Sequence, residues 1–530
     1  MAESARRLYL IGCGPNDARA GTLDELGFKA YNLARLARLG APVPPAFVLD
    51  TNWCRAFRAA GGALPDGTRT ELAAALAQLE AASGLGFGSA RRPLIVAVRS
   101  GAPVSMPGML ETVLNVGLCD ATVPGLVRLT GNPRLVWDSY RRLIEAYAEI
   151  VAMLAPAPFA ALRQAALAQA EARTLAEVDF RGLRALVERE LETYAALAGE
   201  PFPQVPLAQL EAAVVAVWRS WDGDKARWYR GAHAIDAALG TAVTVQRMVF
   251  GNAGGTSGAG VGFTRDPSTG AAALYLDYAP NAQGEDVVAG RTALGSDPAA
   301  EIAAPIREEL VELAQLLEHE FRDAQEFEFT VENGELYVLQ TRDAKRTPLA
   351  ALEIAVALGE AGLLSPAQAR ARVAALDPER LASVELAAPA DPLATGVPAS
   401  VGVASGAAVF DPARALERAR RGEPVVLLRE DVTTADIAAL EAAVGLVAAR
   451  GARTAHAAVV ARQLGKACIV GCQALTIDPG QRAAWFGTER IAEGELLTID
   501  AGSGRVYRGS LPVVRRRPEA LWRRLAALGA

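Results

Sequence analysis

Six residues, Ala387-Ala388-Pro389-Ala390-Asp391-Pro392, divide the 530-residue chain into two regimes that cannot form one continuous element. Proline removes a backbone donor and pushes the residue before it out of helical geometry, so two prolines this close stop any helix that reaches them. Residues 346–395 carry two Ala-rich helical patterns that give way to this break, which reads as a linker. Beyond Gly396 strand-like runs alternate with helical stretches: Gly406 to Phe410, Val425 to Leu428, Gly445 to Ala448, Ala467 to Val470 and Leu496 to Ile499. That alternation predicts an α/β or swivelling β/α domain.

Ahead of the break the order differs. A strand-like run, Leu8 to Ile11, leads to a helical pattern around Ala30 to Leu39 that Pro42, Pro44 and Pro45 close. Residues 68–83 and about 133–220 have helical periodicity, the second stretch forming a helical insertion. Strand-like runs return at Thr241 to Phe250, Leu274 to Tyr278, Phe327 to Val331 and Leu336 to Gln340, with Asn333-Gly334 as a tight hairpin turn. The expected division is a first domain over 1–345 with its insertion at about 120–220, a helical linker over 346–395, a second domain over 396–510 and a basic tail over 511–530.

Composition narrows the function. Hydrophobic residues make up 51% and charged residues 22%, enough apolar material for several globular cores. A net charge of -6 gives no general attraction for phosphate backbones, which argues against nucleic acid as a partner. No charge-free run of about 20 apolar residues occurs, so no membrane span is expected and the chain reads as cytoplasmic. Five scattered cysteines, Cys13, Cys54, Cys119, Cys468 and Cys472, lack the spacing of a zinc site and read as reduced structural thiols. The three histidines, His233, His319 and His456, lie too far apart in sequence for a histidine-built metal centre. Arg515, Arg516, Arg517, Arg523 and Arg524 read as a solvated basic end, with a docking surface for an acidic partner as the alternative.

Several segments carry chemistry. The run Gly251 to Arg265 is rich in glycine, including Gly254, Gly255, Gly258 and Gly260, and lies between strand-like stretches. As a flexible hairpin it can lay backbone N–H groups along a polyphosphate; on its own it is as readily a mere loop. Glu326 and Glu328 fall two apart on one strand face, and Gln340 and Arg342 recur at the same period on the return strand. Carboxylates, an amide oxygen and a guanidinium on adjacent strands suit Mg²⁺ between β- and γ-phosphates, or else form the charged outer face of a hairpin. Lys29 starts a helix and Arg99 closes the apolar strand Leu94 to Val98, where side chains face ligands more often than cores. In Ala449 to Arg462 a strand ends, Gly451 turns the chain, Thr454 can cap a helix and His456 falls in its first turn. A phosphate on that imidazole would meet free backbone N–H groups and the positive end of the helix.

The segment Val98-Arg99-Ser100-Gly101-Ala102-Pro103-Val104-Ser105-Met106-Pro107-Gly108-Met109-Leu110-Glu111-Thr112-Val113-Leu114-Asn115 closely resembles a signature of the pyruvate, phosphate dikinases. So do the glycine run through Gly270, the stretch Asn281 to Gly290, Leu339-Gln340-Thr341-Arg342 and the block around His456, collinear from about residue 8 to 509. The resemblance implies an α/β and α+β multidomain chain: an ATP-grasp nucleotide-binding domain with a helical insertion, then a swivelling β/α phosphohistidine domain. It implies Lys29, Arg99, Gln340 and Arg342 as phosphate-binding residues and Glu326 and Glu328 as the Mg²⁺ pair. It further implies His456 as the phosphorylated histidine and Thr454 as the target of a regulatory kinase. ATP and phosphate would give AMP, pyrophosphate and a phosphohistidine whose phosphoryl group derives from the β-phosphate. The Ser105-Met106-Pro107-Gly108-Met109 form is similar to the phosphate-using dikinases rather than the water-using phosphoenolpyruvate synthases.

Two departures stand out. Where the family has Gly-Gly-Lys-Gly, this chain has Gly27-Phe28-Lys29-Ala30. The chain also stops about twenty residues after the second domain, whereas a pyruvate-binding barrel needs roughly 250 residues. The expectation is an ATP-dependent phosphotransferase that passes the group to an acceptor on a separate barrel subunit. The alternatives are a non-catalytic nucleotide-binding paralogue and a self-contained small-molecule kinase.

Overall fold

The computed structural model describes residues 7–14, 21–106, 108–288, 301–377, 381–433, 436–451, 453, 456–478 and 480–529. The chain falls into two compact units, Met1–Gly254 with Tyr337–Gln340, and Gly255–Leu336 with Thr341–Ala530. The sequence boundaries at 345 and 395 follow composition; packing groups 255–336 with the chain beyond 341.

In the first unit β1 (Leu8–Ile11), β2 (Ala46–Leu49), β3 (Val96–Gly101), β4 (Thr112–Val116) and β5 (Ala242–Arg247) form one sheet in the order β1-β2-β5-β3-β4. All four residues of β2 are buried, as are the first five of β5. Because successive strand residues face opposite sides, such strands are covered on both faces. Helix α1 (Leu23–Arg38) starts at a capping box between Thr22 and Glu25 and breaks at Gly27, whose φ of 69° is left-handed. The insertion is helical as expected, with α2 (Pro133–Ala146), α3 (Ala157–Gln169), α4 (Phe180–Ala198) and α5 (Pro206–Ser220). Tyr147 and Tyr194 meet Phe202 edge-on at ring separations of 5.2 and 5.3 Å, fixing how α2 and α4 approach the loop before α5.

A charged cluster lies inside this bundle. Arg141 of α2 pairs with Asp138 at 2.9 Å and Glu145 at 3.0 Å, and Arg163 of α3 reaches Glu145 at 2.7 Å. Glu190 of α4 is fully buried. Burial first, and then the Glu145 carboxylate, push its carboxyl up to about 10. Glu190 therefore holds a proton at neutral pH, while the arginines keep Glu145 ionised.

β6 (Gly258–Phe263), β7 (Tyr275–Pro280), β8 (Gln325–Glu332) and β9 (Glu335–Asp343) form a sheet ordered β9-β8-β6-β7, which belongs to the second unit apart from Tyr337–Gln340 of β9. Asn333 and Gly334, at φ 52° and 84°, make the tight turn joining β8 to β9. The glycine run is not one flexible hairpin: its second half is β6, buried at all six positions in the interior of the sheet. Helices α6 (Pro348–Glu360) and α7 (Pro366–Val373) supply the two Ala-rich patterns.

Past the proline break, an eight-stranded sheet runs Ala394–Thr395, Arg505–Arg508, Leu496–Asp500, Val403–Val409, Val425–Arg429, Gly445–Ala448, Ala467–Val470 and Val397–Pro398. Val403–Val409 to Ala467–Val470 are mutually parallel, joined by helical crossovers, the last of which is α8 (His456–Gln463). All five strands expected here are present. A three-stranded antiparallel ribbon, Leu475–Asp478, Ala483–Phe486 and Glu489–Ala492, lies between the last two of these strands in sequence and adds to the expected ones. The basic end is folded rather than a solvated tail. Val513–Arg516 pairs with Ser383–Leu386, and α9 (Glu519–Ala527) buries Leu525 in the core that holds α6. Arg524 reaches Glu353 at 3.2 Å and Glu360 at 2.7 Å, and Arg516 reaches Glu385 at 3.0 Å, so these two answer carboxylates of this same unit, while Arg515, Arg517 and Arg523 are exposed. The α/β and α+β multidomain class is as expected, and no helix among the described residues is long and apolar enough to cross a membrane.

Since Glu190 holds its proton well above the ordinary carboxyl value of 4.5, its contribution to stability is complete below that value and fades as pH rises towards 10. Glu190→Gln, permanently neutral, should melt within about 1 °C of wild type at pH 5 and about 2–4 °C higher at pH 9. Scanning calorimetry across that range tests it; a gap that does not widen with pH contradicts the protonated state.

Candidate functional site

Strand register decides which side chains share a face. Directly opposed residues in an antiparallel pair point the same way. Glu326 lies opposite Phe263, which lies opposite Tyr275; Glu328 lies opposite Val261, which lies opposite Asp277. Glu326, Glu328, Tyr275 and Asp277 therefore stand on one face. The opposite face of β6 is glycine at Gly258, Gly260 and Gly262. A Cβ on Gly260 would meet the Phe329 ring and lie 2.6 Å from the Asp277 carbonyl oxygen, and one on Gly262 would meet the Phe327 ring. The structure thus gives Gly258 and Gly260 a packing reason: aromatic rings occupy the space, and the peptide groups are engaged by β7 and β8. Gly254 and Gly255 do lie in the turn ahead of β6, with open space where a Cβ would point.

Arg342 on β9 donates to Glu326 Oε1 at 2.5 Å. Burial alone would lower the Arg342 pKa; the Glu326 charge and this hydrogen bond, with Glu328 behind them, raise it. Glu326 is 4% exposed, and its Oε2 has no hydrogen-bond partner among the described residues. A buried carboxylate oxygen without a partner is costly unless something else fills it. No cluster of three or more metal-ligating side chains occurs among the described residues. Two carboxylates with one open oxygen fit Mg²⁺, which takes few protein ligands and completes its shell with water and substrate phosphate. They would not make an all-protein cage for a structural ion.

In the first unit, the kink of α1 at Gly27 answers a close approach. Its missing Cβ is where the Gly101 carbonyl oxygen sits, and the Phe28 N–H donates to the Ala102 carbonyl at 2.8 Å. Lys29 lies two residues beyond that contact and Arg99 two before it, so helix start and strand end are pinned together. Gly27, at φ 69° and without room for a Cβ, is the residue this backbone contact requires. Arg99 Nη1 donates at 3.1 Å to both Gln246 Oε1 and the Leu339 carbonyl, which aims the guanidinium across β5 towards β9. Gln340 follows Leu339 and is nearly buried at 7% exposure.

His456 is the first residue of α8, at the carboxyl end of Gly445–Ala448, where loops of parallel sheets carry ligand chemistry. Thr454 lies outside the described residues. Arg453 is described: its Nε lies 3.3 Å from Asp277 Oδ1, and its guanidinium stands 4.6 Å from the Tyr275 ring centroid. Further along α8, the wholly buried Arg462 lies 5.5 Å from the Phe263 ring centroid and donates to the Ala399 carbonyl at 3.2 Å. Asp277, Gln246 and Arg453 escape sequence inspection as site residues. For the first two the only signal is a polar side chain inside an otherwise apolar strand.

Comparison with known proteins places the chain among relatives as a whole. Residues 60–297 match the pyruvate phosphate dikinase AMP/ATP-binding domain, and residues 422–504 match the mobile domain of PEP-utilising enzymes. Pyruvate, phosphate dikinase of Rhizobium meliloti (strain 1021) is 39% identical over 529 residues, an alignment covering 96% of this chain and 59% of that protein. The Clostridium symbiosum dikinase is 39% identical over 501 residues, covering 93% of this chain and 57% of its own, and dikinase 2 of Zea mays is 38% identical over 519 residues, covering 96% and 58%. The chain thus carries a pyruvate phosphate dikinase type nucleotide-binding domain and a mobile domain of the PEP-utilising type, and over almost its whole length it is similar to pyruvate, phosphate dikinases. It spans a little under three fifths of the length of these relatives.

Because the Phe329 ring fills the space over Gly260, Gly260→Ala should destabilise the protein by about 1–3 kcal/mol through overpacking. Gly255→Ala, with open space, should cost less than about 1 kcal/mol. Urea unfolding of both variants measures the difference, and equal losses would contradict the packing role.

Proposed function

We propose that this chain is the ATP-using part of a dikinase-type phosphotransferase, with His456 as the residue that takes the phosphoryl group. The observation that carries the reading is the shared sheet face: Glu326 and Glu328 stand beside Tyr275 and Asp277, which hold Arg453, three residues ahead of His456. Glu326 and Glu328 would hold Mg²⁺, which supplies charge neutralisation on the polyphosphate. Lys29, Arg99, Gln340 and Arg342 would bind the phosphates, with Gly254 and Gly255 in the turn offering backbone donors. Arg342 would leave Glu326 for phosphate as the cation arrives, so its present ion pair keeps both charges compensated beforehand.

The chemistry balances as two displacements. A neutral imidazole nitrogen of His456 attacks the β-phosphorus, the bond to the α-phosphate oxygen breaks, and AMP leaves. Inorganic phosphate then attacks the γ-phosphorus, pyrophosphate leaves, and the β-phosphoryl group remains on the ring. The start of α8 favours the negative charge this deposits. The group would next pass to an acceptor held by a separate subunit, with pyruvate as the first candidate by family. Thr454, two residues ahead of His456, is the proposed target of a regulatory kinase, since phosphate there would repel the incoming nucleotide.

With ATP labelled at the β-phosphate, acid-labile and base-stable label should appear on the protein together with AMP. His456→Ala and chelation by EDTA should each abolish it; label persisting in His456→Ala would sink the assignment, and ADP as the product would indicate an ordinary kinase. Arg342→Gln should slow labelling about 10²-fold. It should also cost stability, roughly 3 kcal/mol by unfolding, because Glu326 is left buried and unpaired.

A further inference from the structure

We infer that Arg453 is a positioning residue: it latches the segment carrying His456 onto the sheet face that bears Glu326 and Glu328. The inference rests on the phosphotransfer reading for its consequence, though not for its geometry. Asp277 is completely buried in β7, and Arg453, only 20% exposed, meets it at 3.3 Å while lying over Tyr275 at 4.6 Å. A carboxylate buried in a sheet stays charged only when a cation answers it, and an aromatic ring adds attraction to the same guanidinium. The grip is therefore specific to an arginine, whose flat fork pairs and stacks at once.

The contact lies next to the reacting parts. Asp277 and Glu328 are both opposite Val261, one strand to either side, hence about 10 Å apart. Three residues of chain reach at most about 10 Å beyond Arg453, so fixing Arg453 on Asp277 limits how far His456 can travel from this sheet face. Arg462, against Phe263 in the adjacent row, seats the far end of α8 on the same face, so the helix is held at two points. The Tyr275 hydroxyl, donating to the Pro398 carbonyl at 3.4 Å, ties β7 to the start of the domain that carries α8. Such an arrangement lowers the entropic barrier for a nucleophile on a mobile domain, and a single ion pair with one ring remains weak enough to release.

Two variants test the latch, Asp277→Asn, nearly the same shape without charge, and Arg453→Met, which still covers Tyr275. Hydrogen exchange of residues 449–463 in the absence of nucleotide reads the contact itself: both variants should exchange at least about tenfold faster there, with the rest of the chain unchanged. Protection equal to wild type overturns the latch whether or not the protein is a phosphotransferase. Labelling from β-labelled ATP reads the consequence. The rate constant at saturating ATP should fall about tenfold in each variant and no further in the double variant, with KM for ATP unchanged, and Arg453→Lys should recover part of the loss. Additive losses, or a rise in KM with an unchanged rate constant, would overturn the positioning role. Wild type that takes no label would refute the phosphotransfer reading and the positioning role together, leaving the contact to be judged by exchange alone.

Discussion

Three carboxylates on one face of a four-stranded sheet, Glu326, Glu328 and Asp277, form the constraint around which the second unit is organised. Charge of one sign on adjacent strands is unfavourable unless cations answer it. Two arginines do so from different parts of the chain: Arg342 reaches Glu326 from the return strand, and Arg453 reaches Asp277 from the segment ahead of α8. The first pairing leaves one oxygen of Glu326 open, and the second brings a distant domain onto the sheet. A surface built this way keeps its buried charge compensated by side chains from other parts of the chain.

The glycine content of β6 makes that face usable. With no side chains at Gly258, Gly260 and Gly262, the rings of Tyr278, Phe329 and Phe327 lie flat against the strand on the other side. Those rings take one face, and on the other the carboxylates share space with Val261 and Phe263, which belong to the core that holds α6. Gly27 plays a comparable part in the first unit, where a left-handed residue lets a helix touch a strand end, two residues from Lys29 on one side and from Arg99 on the other. In both places glycine acts by permitting close approach, in one case of a backbone carbonyl and in the other of aromatic rings.

The chain end shows charge working in a plainer way. Arg516 and Arg524 answer Glu385, Glu353 and Glu360, all within the stretch that precedes the proline break. The segments on either side of the mobile domain are therefore stitched together by a strand pair and a packed helix, so the domain between them leaves and re-enters the same small structure.

Local pattern was enough to place most elements. The apolar run Leu8 to Ile11, the Asn333-Gly334 turn, the helical insertion and the five strands beyond Gly396 follow from side-chain period and turn chemistry, which act over a few residues. The two-residue spacing of Glu326 and Glu328 put them on one face for the same reason. Pattern was silent where partners come from far along the chain. It could not show that half of the glycine run is an interior strand, that the basic end folds back, or that Asp277 and Arg453, 176 positions apart, meet. Strand order and register decided these, because whether a glycine serves a ligand or a ring, and whether an arginine is solvated or paired, depends on what the fold sets opposite it.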